Sequence, residues 1–150
     1  MHLPRVGVYK SFLASMDEGW LRYTLEQFDV PYTSIENKVV RAGNLKARFD
    51  IVFLPNQDAD AIVNGHAPGS MPPEFSGGIG LDGVAALRAF VEGGGTLFAV
   101  DAASTLPIRF FNMPVRDALD GVRNTEFYGP GSLLRMKIVT AQPLSAGMPA

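Results

Sequence analysis

Two kinds of apolar spacing alternate along the chain. Short continuous runs at Val6–Tyr9, Tyr32–Ile35, Asp50–Pro55 and Thr96–Val100 predict strands. The last two lack polar alternation, as parallel strands covered on both faces do. Between the first two runs, Leu21, Leu25 and Phe28 recur at i, i+4 and i+7, which predicts a helix stopped before Pro31. Ser15 suits its N-cap, and Glu18 three residues on can complete a capping box. Asp17 in the first turn suits the positive end of the helix dipole. A second helix is capped by Asp82, carries Val84, Leu87 and Val91 on one face, and stops at Gly93. Residues 39–48 read as a loop with one helical turn, broken at Gly43-Asn44. A short helical piece runs through Phe111, Pro114 opens another that Gly121 ends, and Leu133–Val139 predicts a last strand. Residues 57–80, dense in glycine and proline, read as one long loop, a length usually reserved for function or mobility.

Strands alternating with helices predict an α/β fold. The element count fits a flavodoxin-like, doubly wound, mainly parallel five-stranded sheet of order 2-1-3-4-5, in three layers, as one domain over residues 1–150. Ligands of such sheets bind outside the carboxyl ends of the strands. That edge comprises Lys10 to Trp20, Asn56 to Asp58, and Asp101 to Ser104. Asp17, Glu18, Trp20, Asn56 and Gln57 are therefore the ligand or interface candidates.

Composition narrows the chemistry. Of 150 residues, 47% are hydrophobic and 19% charged, a core-forming balance that excludes a disordered chain. Thirteen Lys and Arg against 15 Asp and Glu give a net charge of −2, with no pull toward nucleic acid or anionic membrane as partner. No segment reaches the roughly 18 apolar residues of a membrane span. No export signal opens the chain, and the compartment stays open. Zero cysteine removes disulfides, thiolate metal sites and cysteine nucleophiles.

Each remaining candidate has a structural alternative. Asp17 and Glu18 form a paired carboxylate or a capped helix start. Trp20, the single tryptophan, stacks on a ligand or packs in a core or domain interface. Asp101 stands at a strand-to-helix corner, and Ser104 is a nucleophile or the N-cap of the short helix. No Gly-x-Ser-x-Gly elbow surrounds Ser104. A Ser104–His66–Asp101 triad can be written, although His66 lies in the long loop with no spacing that points to the other two. A zinc site needs roughly three ligands, and the histidines and spacing here supply no set, so no metal and no cofactor is expected. Gly93-Gly94-Gly95 precedes a strand, whereas phosphate loops follow one.

Gly93-Gly94-Gly95-Thr96-Leu97-Phe98-Ala99-Val100-Asp101-Ala102-Ala103 resembles the class I glutamine amidotransferase-like superfamily. There the corner holds a cysteine, and a histidine follows a late strand. Here the corner is Asp101-Ala102 and no histidine follows His66, so Asp101, Ala102 and Ser104 form a vestigial corner. The stretch Tyr9-Lys10-Ser11, Met16-Asp17-Glu18-Gly19-Trp20, Leu25-Glu26-Gln27-Phe28 and Pro31-Tyr32-Thr33 is similar to the C-terminal region of certain large bacterial zinc carboxypeptidase-like proteins. Arg48-Phe49-Asp50, Leu54-Pro55 and Pro143 to Pro149 agree with it. In those proteins a carboxypeptidase A-like domain carries the zinc and an amidotransferase-like domain follows. The likeness covers only that second domain and implies a chain trimmed at its C-terminal end.

The resemblance implies a non-catalytic accessory or interaction domain. Its partner would be a peptidase domain of the same longer protein, or another copy of itself, and it would be exported if that peptidase is secreted. Two alternatives stand beside it. One is a small-molecule, peptide or sugar binding module. The other is a hydrolase using Asp101 or Ser104.

Overall fold

Four of the predicted apolar runs pair side by side as β1 (Val6–Tyr9), β2 (Tyr32–Ile35), β3 (Ile51–Leu54) and β4 (Thr96–Ala99). The computed structural model describes residues 3–129, 131, 135–141 and 145–148. It divides into two compact units, Met1–Asp117 and Ala118–Ala150. The sheet is wholly parallel, in the order β2-β1-β3-β4. The α/β class is therefore as expected, with four strands among the described residues rather than five. Of the expected fifth strand, Leu133 and Leu134 lie outside the described residues. Arg135 to Val139 makes no ladder, and Met136 and Val139 stand in solvent, so that stretch buries no face.

The helices of the first unit are α1 (Met16–Gln27), α2 (Asn37–Arg41), α3 (Leu45–Arg48), α4 (Ala59–Asn64), α5 (Gly80–Glu92) and α6 (Thr105–Phe110). In-register partners share a face, so Gly7, Val52 and Leu97 lie on one side and Val8, Phe53 and Phe98 on the other. The first side carries the main core. Tyr9, Ile35, Val52 and Leu54 pack there with Val40 of α2, Leu45 of α3, Ile62 of α4, and Leu87 and Phe90 of α5. On the second side Val6 and Val8 are buried, and α1 packs against β1.

Three helix expectations change. α5 begins at Gly80, which puts Asp82 inside the first turn rather than at the cap. Its buried positions are Gly83, Val84, Leu87 and Phe90, while Val91 is one step round the helix and partly open. The two short helices α2 and α3 replace the single turn expected in 39–48, and break where Gly43 and Asn44 both take positive φ. The helix expected from Pro114 to Gly121 is not formed, because Val115, Leu119 and Val122 are exposed and give it nothing to bury.

The stretch 57–80 is more ordered than its composition predicts. It opens with α4, which buries Ile62 and Val63, and contains a 3-10 turn at Pro73–Phe75. Its return to α4 is close: Ile79 N–H donates to the Ile62 carbonyl at 2.9 Å. A Cβ on Gly78 would lie 2.2 Å from that same carbonyl oxygen, so only glycine fits. At the opposite edge of the sheet, Arg5 grips Asp50 through Nε at 3.0 Å and Nη2 at 2.9 Å. That grip holds the Asp50 carboxyl well below the usual carboxylate range. Within the second unit, Arg123 pairs with Glu126 at 2.6 Å, and Ser145 donates to the Val139 carbonyl at 2.6 Å. No helix among the described residues is long and apolar enough to cross a membrane.

Candidate functional site at the carboxyl edge

α1 starts where the sequence places it. The Ser15 hydroxyl accepts from the Glu18 N–H at 3.3 Å, which is one half of the capping box. The other half is missing, because the Glu18 carboxylate turns to Arg22 one turn on. Their Oε1 and Nε lie 2.7 Å apart as an ion pair. Glu18 is 7% exposed, and its charge raises the Arg22 guanidinium above its ordinary value.

Asn56 joins the three loops of this edge. Its amide donates to Asp17 Oδ2 at 3.1 Å, its carbonyl oxygen accepts from Ser15 Oγ at 3.2 Å, and its Oδ1 accepts from the Ala102 N–H at 3.3 Å. Gln57 beside it donates to the Leu13 carbonyl at 3.4 Å. Beside these bonds lies a cleft of about 230 Å³ at the ends of β1 and β3, lined by Lys10, Ser11, Leu13, Ser15, Glu18 and Gln57 among others. Its place is the switch point of the strand order, where β1 has neighbours reached in opposite directions. Asp17 and Ala102 lie on the other side of Asn56, on a wider open groove.

The structure thus brings together Asp17, Glu18, Asn56, Gln57 and the Asp101–Ala102 corner. It does not bring Trp20. That ring is 60% exposed on the outer side of α1 and meets Tyr23 edge-on at 6.0 Å. Phe28, expected on the inner stripe, is the C-cap and 75% exposed, leaving Leu21 and Leu25 as the half-buried inner pair.

At the corner, Asp101 is exposed and takes φ +51, a left-handed conformation that costs a non-glycine residue energy. It opens a 3-10 turn, Asp101–Ser104, that runs on into α6. Ser104 makes no capping hydrogen bond there. His66 turns its Nε2 to the Phe12 carbonyl at 3.3 Å. No hydrogen bond among the described residues joins any two of Ser104, His66 and Asp101. No group of three or more His, Asp or Glu that could hold a metal ion occurs among the described residues.

One buried polar network escaped sequence reasoning. The Tyr9 hydroxyl donates to Asn37 Oδ1 at 2.7 Å, and Asn37 Nδ2 donates to the Gly77 carbonyl at 3.0 Å. Arg41 joins it through the Gly78 carbonyl at 3.1 Å. Burial pushes the Tyr9 phenol up to about 12, against the opposing pull of the Ser11 hydroxyl and the Arg41 charge. The only hint in the sequence was a tyrosine ending a buried strand, with no sign of its partner. Comparison with family models, with curated proteins and with solved structures found nothing that matches.

Proposed function

We propose that this chain is a non-catalytic interaction module, docked through α1 onto a partner domain. The observation that carries the reading is the outward set of Met16, Trp20 and Tyr23, large apolar side chains held in solvent on a well-capped helix. Exposed contiguous aromatic surface of this kind marks interaction sites. The corner supports the non-catalytic half. The N–H following Asp101, the donor an acyl-transfer site would aim at its oxyanion, is bound to Asn56, and His66 near this edge is bound to the Phe12 carbonyl. The partner we propose is a carboxypeptidase A-like zinc domain, on the likeness carried by Asp17-Glu18-Gly19-Trp20. The sheet order supports a flavodoxin-like reading with four of its strands among the described residues.

The test has two arms. A panel of amidase, esterase and peptidase substrates is expected to show no turnover. Activity that Asp101→Ala or Ser104→Ala abolishes sinks the proposal. Titration with a purified carboxypeptidase A-like domain is expected to give binding that Trp20→Ala removes, and no binding removes that partner from consideration.

A second reading, a small-ligand binding module, is favoured by the cleft at β1 and β3. At about 230 Å³ it lies below the roughly 300–1,000 Å³ of sites for drug-sized molecules. Lys10, Ser11 and Gln57 offer it polar groups. A thermal-shift screen with sugars, amino acids and short peptides tests it, and a flat response across the screen ends it.

A further inference from the structure

The charges around the outer face of α1 say what chemistry its partner has. Successive residues of an α-helix turn by about 100°, so Met16, Trp20, Tyr23 and Gln27 fall within about 60° of one another. All four are exposed. Asp17 borders this stripe on the Trp20 side and Glu26 on the Tyr23 side, each about 60° beyond it by the same geometry. Both are exposed, and both keep an acceptor role, Asp17 toward Asn56 and Glu26 toward the Tyr32 hydroxyl at 2.6 Å. Asp29, exposed and at φ +51, stands just past the C-terminus. The last turn carries no basic residue, so the negative end of the helix dipole is uncompensated there. The helix's one cation, Arg22, lies on the opposite arc and is paired with Glu18. An apolar stripe therefore runs between two acidic borders with no cation on its arc.

We infer that the outer face of α1 is a docking surface for a basic amphipathic helix of a partner protein, one with Leu- or Ile-type residues along a seam flanked by Lys or Arg. This deepens, and rests on, the reading of the chain as an interaction module. Helix-on-helix recognition uses apolar anchors three, four and seven residues apart, and Met16, Trp20 and Tyr23 have that spacing, with the polar Gln27 one turn on. Charge complementarity selects the partner's sign. It also disfavours a second copy on this face. Antiparallel pairing would set Asp17 against Glu26 and Asp29 of the other copy, and parallel pairing would set each carboxylate against itself. Phosphate-bearing partners, nucleic acid and anionic lipid alike, meet the same carboxylates.

Trp20 is the chain's only tryptophan, so its emission reports this surface alone. The probe is a tryptophan-free synthetic helix of about 18 residues with a leucine seam and lysine flanks, set against one with the same seam and glutamate flanks. The lysine helix is expected to shift Trp20 emission to shorter wavelength saturably, and the glutamate helix to bind at least roughly ten-fold more weakly. Raising salt from about 50 to about 500 mM is expected to weaken the lysine helix, and Asp17→Asn with Glu26→Gln to weaken it likewise. Tyr23→Ala, at an exposed position, is expected to reduce binding with the circular dichroism spectrum unchanged. Equal binding of both helices overturns the basic partner while leaving an interaction surface in place. If neither helix moves Trp20, the inference fails, and the interaction module is then decided by the zinc-domain titration alone. A concentration-dependent dimer that Trp20→Ala abolishes also overturns it, in favour of self-pairing.

Discussion

On one face of the sheet, Val52, Leu54 and Ile35 are fully buried beneath α2 to α5. On the other face Phe53, which stands between Val52 and Leu54 in β3, stacks on Phe98 of β4 at 5.0 Å, and Phe98 stays 37% exposed. Sequence hydrophobicity hardly separates the two sets. The connections do. The step from β1 to β2 runs one way across the sheet, and the steps from β2 to β3 and from β3 to β4 run the other way. Right-handed crossovers then place α1 on one face and α2 to α5 on the other. Coverage of a strand residue is decided by the direction of chain travel as much as by its own side chain.

The sharpest way to break this comparison is to truncate one residue on each side. Leu87→Ala, on the covered side, is expected to cost about 2–5 kcal/mol in urea unfolding, by lost burial plus the cavity left. Phe98→Ala is expected to cost about 1 kcal/mol, since part of that ring is already hydrated. Equal costs would show that the second face is covered in solution. Gly78→Ala tests the tight return of residues 65–79 onto α4, and overpacking against the Ile62 carbonyl is expected to cost about 1–3 kcal/mol. A smaller effect of opposite sign is expected at the corner. Asp101→Gly relieves a left-handed aspartate and should raise stability by up to about 1 kcal/mol, read as a higher thermal midpoint. A fall would mean that the Asp101 side chain makes a contribution outweighing its backbone.

Titration separates the covered face from the opposite sheet edge. Folding raises the Tyr9 phenol from the ordinary value near 10 to about 12, so the neutral form is favoured in the native state. Its contribution is complete below pH 10 and is lost as pH rises toward 12. Tyr9→Phe should flatten that alkaline limb. Asp50 has the reverse sign. Its carboxyl is lowered by Arg5, so its contribution is present above the ordinary carboxylate value near 4 and fades as acid is added below it. Asp50→Asn should reduce the acid limb and leave the alkaline one untouched.

Strand positions were legible because each is a short β-rich run bounded by Pro, Gly or polar residues. β1 and β2 lie where the pattern puts them, and β3 and β4 are each slightly shorter. The cap at Ser15 was legible too, since its bond to Glu18 is local. What failed was non-local. Glu18 chose Arg22 over the cap, Phe28 lost the inner face to the chain reversal at Asp29, and α4 formed inside a loop-like composition because Ile62 and Val63 found α5. At the candidate site, the carboxyl-edge rule brought Asp17, Asn56, Gln57 and the Asp101 corner to one place. Nothing in the spacing revealed that the Asn56 amide links Asp17 to that corner, or that Trp20 points away.

β4 is four residues long, Thr-Leu-Phe-Ala, and carries no charge. As the terminal strand of the sheet among the described residues, it has one row of backbone N–H and C=O groups with no described strand alongside. Such a row is a template for strands from other molecules, and brevity is one device that protects it. In colloidal terms this row is where self-association of the chain would be expected to start. Association through it would grow with the square of concentration, and Thr96→Lys should suppress that growth without touching the α1 surface.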